Sequence, residues 1–339
     1  MQIVIVGAGA LGSLYAAYLA RDGHEVALIA RGERAIALAK HGVRVTGVET
    51  FSARCEIVTD PERLRSADLL IWATKTYDTA PALQSLRALQ VATAFSVQNG
   101  VLKNEMLART FGQAATLGAI SLIGAEVLPA PSYAPSDAPS DTPGAVRYTR
   151  AGATTVGEIA GGQSSRADDV VAALTHAGLN AQASLQITSV EWSKFVAWSG
   201  ASAMAVLTRQ PTWRFLADPD TALLAARVMR ETAAVAQRLN VSLIDAGLTS
   251  AALAHRSEAE AVKIVQAFGE KLKASAPDLR QSILQDADRG RRLELDETLD
   301  HTLTLATRLG VPSPTLELCC RVLRMVSRSA RGLHDLAQR

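Results

Sequence analysis

Three glycines near the start of the chain form the pattern with the clearest chemical meaning. Residues 7–12 read Gly-Ala-Gly-Ala-Leu-Gly and follow the apolar run 3–6, which is typical of a strand buried on both faces. In such a turn Gly7 allows a tight bend, Gly9 lets a pyrophosphate approach the backbone, and Gly12 lets the next helix pack on the strand. That helix adds free N–H groups and a positive partial charge. The predicted dinucleotide-binding residues are Gly7, Ala8, Gly9, Ala10, Leu11 and Gly12.

Arginine stands where such a site usually has an acidic residue. NAD sites place Asp or Glu about twenty residues after the glycines, on the ribose hydroxyls. Here Arg31 directly follows the apolar run 25–30, and Arg34 lies one helical turn further on. Two cations at a helix start oppose the helix dipole, which favours a bound anion such as the 2′-phosphate of NADPH. We therefore expect NADPH, with Glu33 keeping NAD as an alternative.

Alternating strand and helix patterns must position these residues. The run 3–6, a helix over 10–21 and the run 25–30 make one βαβ unit. Further strands are predicted at 55–58, 69–74, 93–97 and 115–123, with helical segments between several of them. The first half is therefore an α/β Rossmann domain with a mostly parallel, doubly wound sheet, predicted over residues 1–185.

The segment 129–143 differs in composition from the rest of this domain. It holds five prolines among Ser, Asp and Ala, so we expect an exposed, mobile loop rather than part of a core. Residues 144–159 return to a strand-like pattern, with Gly152 and Gly157 as turn signals.

The second half of the chain is helical almost throughout. Amphipathic segments separated by prolines are predicted at 187–208, 219–239, 250–274, 291–309 and 313–328. We expect an all-helical C-terminal domain over residues 186–339.

Composition excludes several classes of partner. Thirty-five basic and 33 acidic residues leave a net charge of +2, and aromatic content is 4%, so neither a nucleic acid nor a membrane is expected. The apolar start lacks the basic residues of a signal peptide. The cysteines at 55, 319 and 320 have no metal-ligand spacing, so we expect no metal, no disulfide and a cytoplasmic protein. The expected partner is a small molecule, and a homodimer is the candidate assembly.

Several motifs, taken in order along nearly the whole chain, resemble the ketopantoate reductase (2-dehydropantoate 2-reductase) family. They include both halves of the chain, and together they are specific. They are the glycine turn 7–12, Ala73-Thr74-Lys75-Thr76, Gln98-Asn99-Gly100, Glu191-Trp192-Ser193-Lys194, Ser282, Arg292-Leu293-Glu294-Leu295-Asp296 and Gly310-Val311-Pro312.

The resemblance implies hydride transfer from NADPH to the ketone carbon of a 2-keto acid. It implies that Lys194 is the catalytic lysine, and that Lys75 and Asn99 lie near the nicotinamide and the substrate. It further implies that Ser282 and Glu294 contact the substrate, with Glu294 also a candidate partner of the lysine. The active site would then lie in the cleft between the two domains.

The residue types agree with this chemistry, although each has a plainer interpretation. A carbonyl that receives hydride gains negative charge on its oxygen, and Lys194 could stabilise and protonate that oxygen. From the residues alone, Lys194 is a lysine at the edge of a helix, since most lysines are exposed. Glu294 would be a salt-bridged helix carboxylate beside the basic cluster of Arg289, Arg291 and Arg292, and Asn99 a turn residue before Gly100.

Two positions depart from the family and affect the choice of substrate. Four and eight residues after its lysine the family usually has asparagines that face the substrate, whereas this chain has Trp198 and Ser202. We expect the reaction type to be kept, the substrate to differ, and a place in pantothenate biosynthesis to be doubtful. The alternatives are a related two-domain dehydrogenase on a 3-hydroxy acid or sugar phosphate, and a non-catalytic NADP-binding regulator.

Overall fold

Two compact units make up the chain. The computed structural model describes residues 1–128, 144–245, 248 and 250–337. The first unit comprises Met1–Asn99 and Lys103–Ile187, and the second comprises Gly100–Leu102 and Thr188–Arg339. The predicted loop 129–143 lies outside the described residues.

The first unit combines twelve described strands with five α-helices. In chain order they are β1 (Gln2–Val6), α1 (Ala10–Arg21), β2 (Glu25–Ile29), α2 (Gly32–His41), β3 (Val43–Gly47), β4 (Phe51–Ala53), β5 (Glu56–Val58), β6 (Ser66–Trp72), α3 (Thr79–Ser85), β7 (Gln90–Ser96), α4 (Lys103–Phe111), β8 (Leu117–Ser121), β9 (Gly124–Val127), β10 (Val146–Arg150), β11 (Thr154–Glu158), α5 (Ser165–His176) and β12 (Ala181–Ala183).

A parallel five-stranded sheet forms the centre of this unit, in the order β5-β2-β1-β6-β7. The chain first builds outward from β1 to β2 and β5, and then adds β6 and β7 on the other side of β1. This reversal between β1 and β6 is the topological switch point, and in open α/β sheets ligands bind at the carboxyl ends of the strands there. The predicted doubly wound α/β fold is confirmed.

Helices bury both faces of the sheet, which explains the uninterrupted apolar strands. Ile3 and Ile5 pack with Leu14 of α1 on one face. Val4 packs on the opposite face in a cluster that includes Trp72 of β6 and residues of α3 and α4. Because successive side chains of a strand point to opposite faces, a strand covered on both sides must be apolar at every position.

Two smaller sheets, β4-β3-β10-β9 and β12-β11-β8, extend the first unit and contain antiparallel pairs. Gly157 was predicted to be a turn residue, but it lies within β11 opposite Gly118. A Cβ atom at Gly157 would lie 2.2 Å from the carbonyl oxygen of Ser184. The glycine is therefore required by a close backbone approach rather than by a bend.

The second unit is helical and has its own apolar core. Its helices are α6 (Ile187–Thr208), which begins at the boundary, α7 (Thr212–Ala217), α8 (Pro219–Arg238), α9 (Ser250–His255), α10 (Glu258–Ser275), α11 (Ser282–Asp288), α12 (Leu299–Leu309) and α13 (Pro314–Ala337). The prediction that the C-terminal domain is built from helices is confirmed.

The predicted helical segments 250–274 and 291–309 were wrong for local reasons, and the predicted segment 313–328 continues in α13 to Ala337. The segment 250–274 is two helices, because a capping box at Ser257 starts a new one: the Ser257 hydroxyl accepts from the Glu260 N–H, and the Ser257 N–H donates to the Glu260 carboxylate. The segment 291–309 becomes helical only at Leu299. Gly290 has a φ of +64° and ends α11, so residues 291–298 form an irregular connection.

A carboxylate on α8 receives the start of the last helix. Glu231 accepts hydrogen bonds from the backbone N–H groups of Thr315 at 3.0 Å and Leu316 at 2.7 Å. These N–H groups have no partner within α13, and the helix dipole favours a negative charge beside them. Leu316 and Leu323 then bury the inner face of α13 in the core.

The three cysteines are free thiols, and Cys319 and Cys320 are buried among apolar residues. Burial raises the pKa of the Cys55 thiol to about 11 and that of Cys319 to about 11. The Cys320 pKa is raised by burial as well. Such thiols stay protonated near neutral pH and are poor nucleophiles. Within the described residues no helix is long and apolar enough to cross a membrane, and no cluster of His, Cys, Asp and Glu could hold a metal ion.

Candidate active site

The glycine turn follows β1 at the switch point, where the sequence pattern predicted a dinucleotide. Gly7 has a φ of +105°, in a region that L side chains rarely adopt. A Cβ atom there would lie 2.9 Å from the backbone nitrogen of Thr74, in the loop after β6. The Gly7 N–H donates to the carbonyl of Ile29 at the end of β2, over 3.3 Å. Gly7 therefore joins the carboxyl ends of three neighbouring strands.

The other two glycines have opposite surroundings. A Cβ atom at Gly12 would lie 1.9 Å from the carbonyl oxygen of Gly7, so the start of α1 can pack this closely only without a side chain. A Cβ atom at Gly9 would meet no described atom within 4 Å. Gly9 is also the N-cap of α1, and no described side chain caps the helix there. Open space before uncapped N–H groups suits the pyrophosphate of a dinucleotide.

The two arginines after β2 have different environments. Arg31 is the N-cap of α2, its side chain is 71% exposed, and its guanidinium lies 3.8 Å from the Asp78 carboxylate. The exposed side chain of Arg31 can therefore reach a ligand beyond β2. Arg34 is bound within the protein, because its guanidinium donates to the carbonyl oxygens of Ala8 and Gly144 and to the hydroxyl of Ser13. Arg34 is thus less available than Arg31 for the 2′-phosphate expected of this pair, because each of its three nitrogens already donates a hydrogen bond within the protein.

Lys75 and Asn99 follow adjacent strands of the sheet, β6 and β7. Between them lies a buried amide, Gln98, whose Nε2 donates to the Thr74 carbonyl at 2.9 Å and to the Thr79 hydroxyl at 2.8 Å. Both Lys75 and Asn99 are half-buried and take part in polar interactions. The structure therefore brings the glycine turn, Lys75 and Asn99 to one edge of the sheet.

A buried lysine near this edge was missed by the sequence analysis. Lys103 begins α4 with only 4% of its surface exposed, and its ammonium donates to the carbonyl of Ser96 at 3.2 Å and to that of Ala119. It thereby ties the end of β7 to β8. An isolated lysine in a polar stretch gives no sequence signal of burial, since most lysines are exposed.

The predicted catalytic lysine lies on α6, the first helix of the second unit. Lys194 is half-buried between the buried residues Ser193 and Phe195, and it makes polar interactions. Ser193 fixes this turn of the helix from two sides. Its hydroxyl accepts the N–H of Ile244 at 2.8 Å, and its carbonyl accepts the hydroxyl of Ser250 at 2.7 Å. These two contacts restrain the rotation of α6 at the position that carries the lysine.

Trp198 and Ser202 continue along the same helix. The Trp198 ring stacks on Phe195, with ring centroids 5.7 Å apart, and is 9% exposed within the helical core. Ser202 is fully buried, and its hydroxyl has no hydrogen-bond partner among the described residues. A buried, unpaired hydroxyl costs free energy unless a ligand or water satisfies it.

The remaining predicted residues come from other segments of the second unit. Glu294 is buried, 4% exposed, and has polar interactions, but it lies in the irregular connection before α12 rather than on an apolar helix face as predicted. Ser282 begins α11 and is exposed. Of the basic cluster, Arg292 pairs with Asp296 and Arg291 lies 3.9 Å from Asp286.

Two family models match the chain, one in each unit. The model described as ketopantoate reductase PanE/ApbA matches residues 3–161, and the model of the C-terminal part of the same family matches residues 186–327. Together they cover most of both units.

Curated relatives match over nearly the whole length. The chain is 29% identical to a 2-dehydropantoate 2-reductase of Archaeoglobus fulgidus, over 98% of both chains. It is 26% identical to the enzyme of the same name from Pyrococcus abyssi, over 93% of this chain and 94% of the relative.

Solved structures share the fold. A PanE/ApbA family ketopantoate reductase from Ralstonia eutropha JMP134 superposes with a TM-score of 0.78 at 24% identity, over 98% of this chain and all of that chain. A D-mandelate dehydrogenase, solved with NADH and anilino(oxo)acetate, superposes with a TM-score of 0.80 at 19% identity, over 97% and 99% of the two chains. At these identities the likeness concerns the fold.

Proposed function

The chain belongs to the ketopantoate reductase family of oxidoreductases, and on that premise we propose that it reduces a 2-keto acid to a 2-hydroxy acid with NADPH. The observation that carries the proposal is the close approach of Gly7 to the backbone of Thr74 at the switch point of the sheet, where a Cβ atom on Gly7 would lie 2.9 Å from the Thr74 nitrogen. It supports the proposal because the glycine turn then lies beside the loop that bears Lys75. We assign cofactor binding to residues 1–185 and substrate binding to residues 186–339.

The glycine turn fits a dinucleotide, and the residue after β2 favours the phosphorylated form. Open space at Gly9 and the uncapped start of α1 suit a pyrophosphate. Arg31, largely exposed, would hold the 2′-phosphate by charge-assisted hydrogen bonds. Asp78 and Glu33 lie close to that position, and their charges reduce the selectivity that one arginine provides. The D-mandelate dehydrogenase of the same fold was solved with NADH.

The chemistry of the chain's own residues centres on Lys194. When bound, NADPH supplies the hydride. The Lys194 ammonium then stabilises the negative charge that develops on the carbonyl oxygen and gives that oxygen a proton. Partial burial helps, because it strengthens the interaction of the ammonium with the developing charge. Glu294 is proposed as the carboxylate that orients the lysine or the substrate.

Polar contacts to the substrate and the nicotinamide are proposed for the other predicted residues. Lys75 and Asn99, at the edge of the sheet, would bind the carboxylate and hold the nicotinamide. From the second unit, Ser282 and Ser202 offer hydroxyl groups, and the buried hydroxyl of Ser202 has no hydrogen-bond partner among the described residues. The large apolar surface of Trp198 favours a substrate with an apolar side chain.

A panel of keto compounds tests the proposal. Oxidation of NADPH, followed by its absorbance, should occur with 2-keto acids that carry apolar side chains, and more slowly with ketopantoate. The same assay with 3-keto acids and with keto-sugar phosphates serves as the comparison. Faster turnover of either comparison class would identify a related dehydrogenase instead. NADPH binding without turnover of any compound would identify a cofactor-binding regulator.

A further inference from the structure

Arg34 is held at the back of the glycine turn by three acceptors. Its Nε donates to the carbonyl of Ala8 at 3.1 Å, one terminal nitrogen donates to the hydroxyl of Ser13 at 3.1 Å, and the other donates to the carbonyl of Gly144. The side chain is half-buried, and burial lowers the pKa of its guanidinium. All three acceptors lie in the first unit, and two of them belong to the turn and to α1.

The Ala8 carbonyl accepts a second hydrogen bond, from the Ser13 hydroxyl at 3.1 Å. Two donors on one oxygen fix the plane of the peptide bond between Ala8 and Gly9. In a trans peptide the C=O and the following N–H point in opposite directions, and the described chain has no cis peptide bond. The Gly9 N–H is therefore turned away from Arg34.

This orientation has two electrostatic consequences. The Gly9 N–H belongs to a residue at which a Cβ atom would meet open space, and the next N–H groups belong to the uncapped start of α1. In addition, the guanidinium neutralises the negative end of the Ala8 carbonyl, which would otherwise repel an anion close to the turn. Both effects favour the pyrophosphate, which every nicotinamide dinucleotide has, and neither involves the 2′-phosphate.

We propose that Arg34 is a positioning residue for the pyrophosphate, which holds the Ala8–Gly9 peptide so that the Gly9 N–H can bind a phosphate oxygen. This inference rests on the proposed function for its ligand, a nicotinamide dinucleotide. It assigns to Arg34 a role distinct from that of Arg31, although both are arginines at the start of one helix. Arg31 would discriminate between NADPH and NADH, whereas Arg34 would serve both equally.

Binding titrations with four ligands separate these roles. For Arg34→Gln, which can reach fewer of the acceptors, the dissociation constants of NADPH, NADH and ADP-ribose should each rise about tenfold, from the loss of one or more charge-assisted hydrogen bonds that position the turn. Adenosine 2′-monophosphate, which lacks the pyrophosphate, should bind within about twofold of wild type. Arg31→Ala is the matched control, and its losses should fall on NADPH and adenosine 2′-monophosphate.

A second variant keeps the test independent of folding. Ser13→Ala removes the other donor to the Ala8 carbonyl, and it should weaken NADH and ADP-ribose binding about threefold. In the double variant, Arg34→Gln with Ser13→Ala, the loss of binding free energy should differ from the sum of the two single losses, because both side chains act on one carbonyl. Arg34→Lys, which keeps the charge and can reach one acceptor, should recover part of the loss. Circular dichroism and melting without ligand check the fold, and Ser13→Ala decides the question if an Arg34 variant does not fold.

The outcomes distinguish this inference from its premise. Wild-type protein that binds neither NADPH nor NADH would refute the proposed function and this inference together. Wild-type protein that binds them, with Arg34→Gln and Ser13→Ala binding ADP-ribose normally, would refute this inference alone. A selective loss of adenosine 2′-monophosphate in Arg34→Gln would show that Arg34 contacts the 2′-phosphate.

Discussion

The side-chain amide of Gln98 donates a hydrogen bond to the carbonyl oxygen of Thr74 over 2.9 Å. The two residues follow neighbouring strands and are 24 positions apart in the chain. The indole N–H of Trp72 also donates a hydrogen bond to the Thr74 hydroxyl, at 2.9 Å. A buried network therefore holds the loop that bears Lys75 against the loop that bears Asn99.

Loss of this amide should destabilise the protein. Gln98→Leu leaves the Thr74 carbonyl and the Thr79 hydroxyl without their donor, so we expect the free energy of unfolding to fall by about 1–3 kcal/mol. Urea denaturation measures it. Gln90→Leu, at the exposed start of β7, which precedes Gln98 in the chain, is the matched control and should change stability by less than about 0.5 kcal/mol. Equal losses would mean that the amide network contributes nothing.

Cofactor preference should depend on Arg31. Removal of its charge in Arg31→Ala should weaken NADPH binding about ten- to a hundredfold, the value of one or two charge-assisted hydrogen bonds, and leave NADH within about twofold. Isothermal titration with both cofactors checks this. Arg87→Ala, an exposed arginine of the same unit, controls for a general change in charge. Equal losses for both cofactors would remove Arg31 from the 2′-phosphate site.

Substrate choice should depend on Trp198. We expect that Trp198→Asn, which restores an amide at this position, shifts the ratio of the kcat/KM values of ketopantoate and an apolar 2-keto acid toward ketopantoate. The stacking of Trp198 on Phe195 offers a competing role in the helical core. Trp198→Phe, which keeps an aromatic surface, is the control for packing. An unchanged ratio in Trp198→Asn, together with reduced stability, would assign Trp198 to the core.

Loss of Lys194 should harm the chemical step more than cofactor binding. For Lys194→Ala we expect turnover to fall about a hundred- to a thousandfold, or roughly 3–4 kcal/mol of transition-state stabilisation, with NADPH affinity within a few-fold. Lys194→Arg should recover only part, because guanidinium does not readily give up a proton. Lys263→Ala, an exposed lysine of the second unit, should keep normal rates. Near-normal turnover of Lys194→Ala would make Lys75 the better candidate.

Stability of the first unit should depend on pH through His176. The Asp22 carboxylate lies 2.8 Å from the His176 ring and raises the pKa of this histidine by hydrogen bonding and by charge. A raised pKa in the folded state stabilises the protein below the unfolded value of about 6.5, and this contribution disappears as the pH rises through the folded pKa. Burial lowers the pKa of His24, which faces the same carboxylate together with the N-terminal amine.

His176→Asn should therefore lower the melting temperature near pH 5 but not near pH 9, outside the range in which the histidine titrates. His41→Asn, at an exposed histidine of α2, is the control for the loss of a charged ring. A loss of equal size at both pH values would show that the contact does not depend on the charge of His176.

Regular elements with strong apolar periodicity were predictable from the sequence. The bounds of α1 and α6 match the predicted segments 10–21 and 187–208, because apolar period and flanking glycine or proline agree there. Irregular backbone was not predictable. The Glu294 segment has the apolar spacing of a helix, yet its backbone is irregular from residue 291 to residue 298, after Gly290 with its φ of +64°. The periodicity therefore assigned Glu294 to the wrong element.

Hydrogen bonds between side chains and groups far apart in the chain could not be predicted from the sequence. Arg31 and Arg34 have the same residue type at the start of one helix, and only the three acceptors around Arg34 distinguish them. Likewise, nothing in the composition around Lys103 indicates that its ammonium is buried between two backbone carbonyls. Motif spacing identified the region of the candidate site, while the hydrogen bonds determine which residue can meet a ligand.

The capping of α13 by Glu231 has a consequence for biosynthesis. Glu231 lies on α8, yet its partners Thr315 and Leu316 are translated more than seventy residues later. Until they appear, the carboxylate lacks its donors and the core lacks Leu316, Cys319 and Leu323. The first unit, whose strands and helices β1 to β12 all precede residue 187, can fold on the ribosome while the helical unit is still being made. The helical unit must therefore wait for its last helix, and during that interval its apolar surfaces are the part of the nascent chain that chaperones would protect.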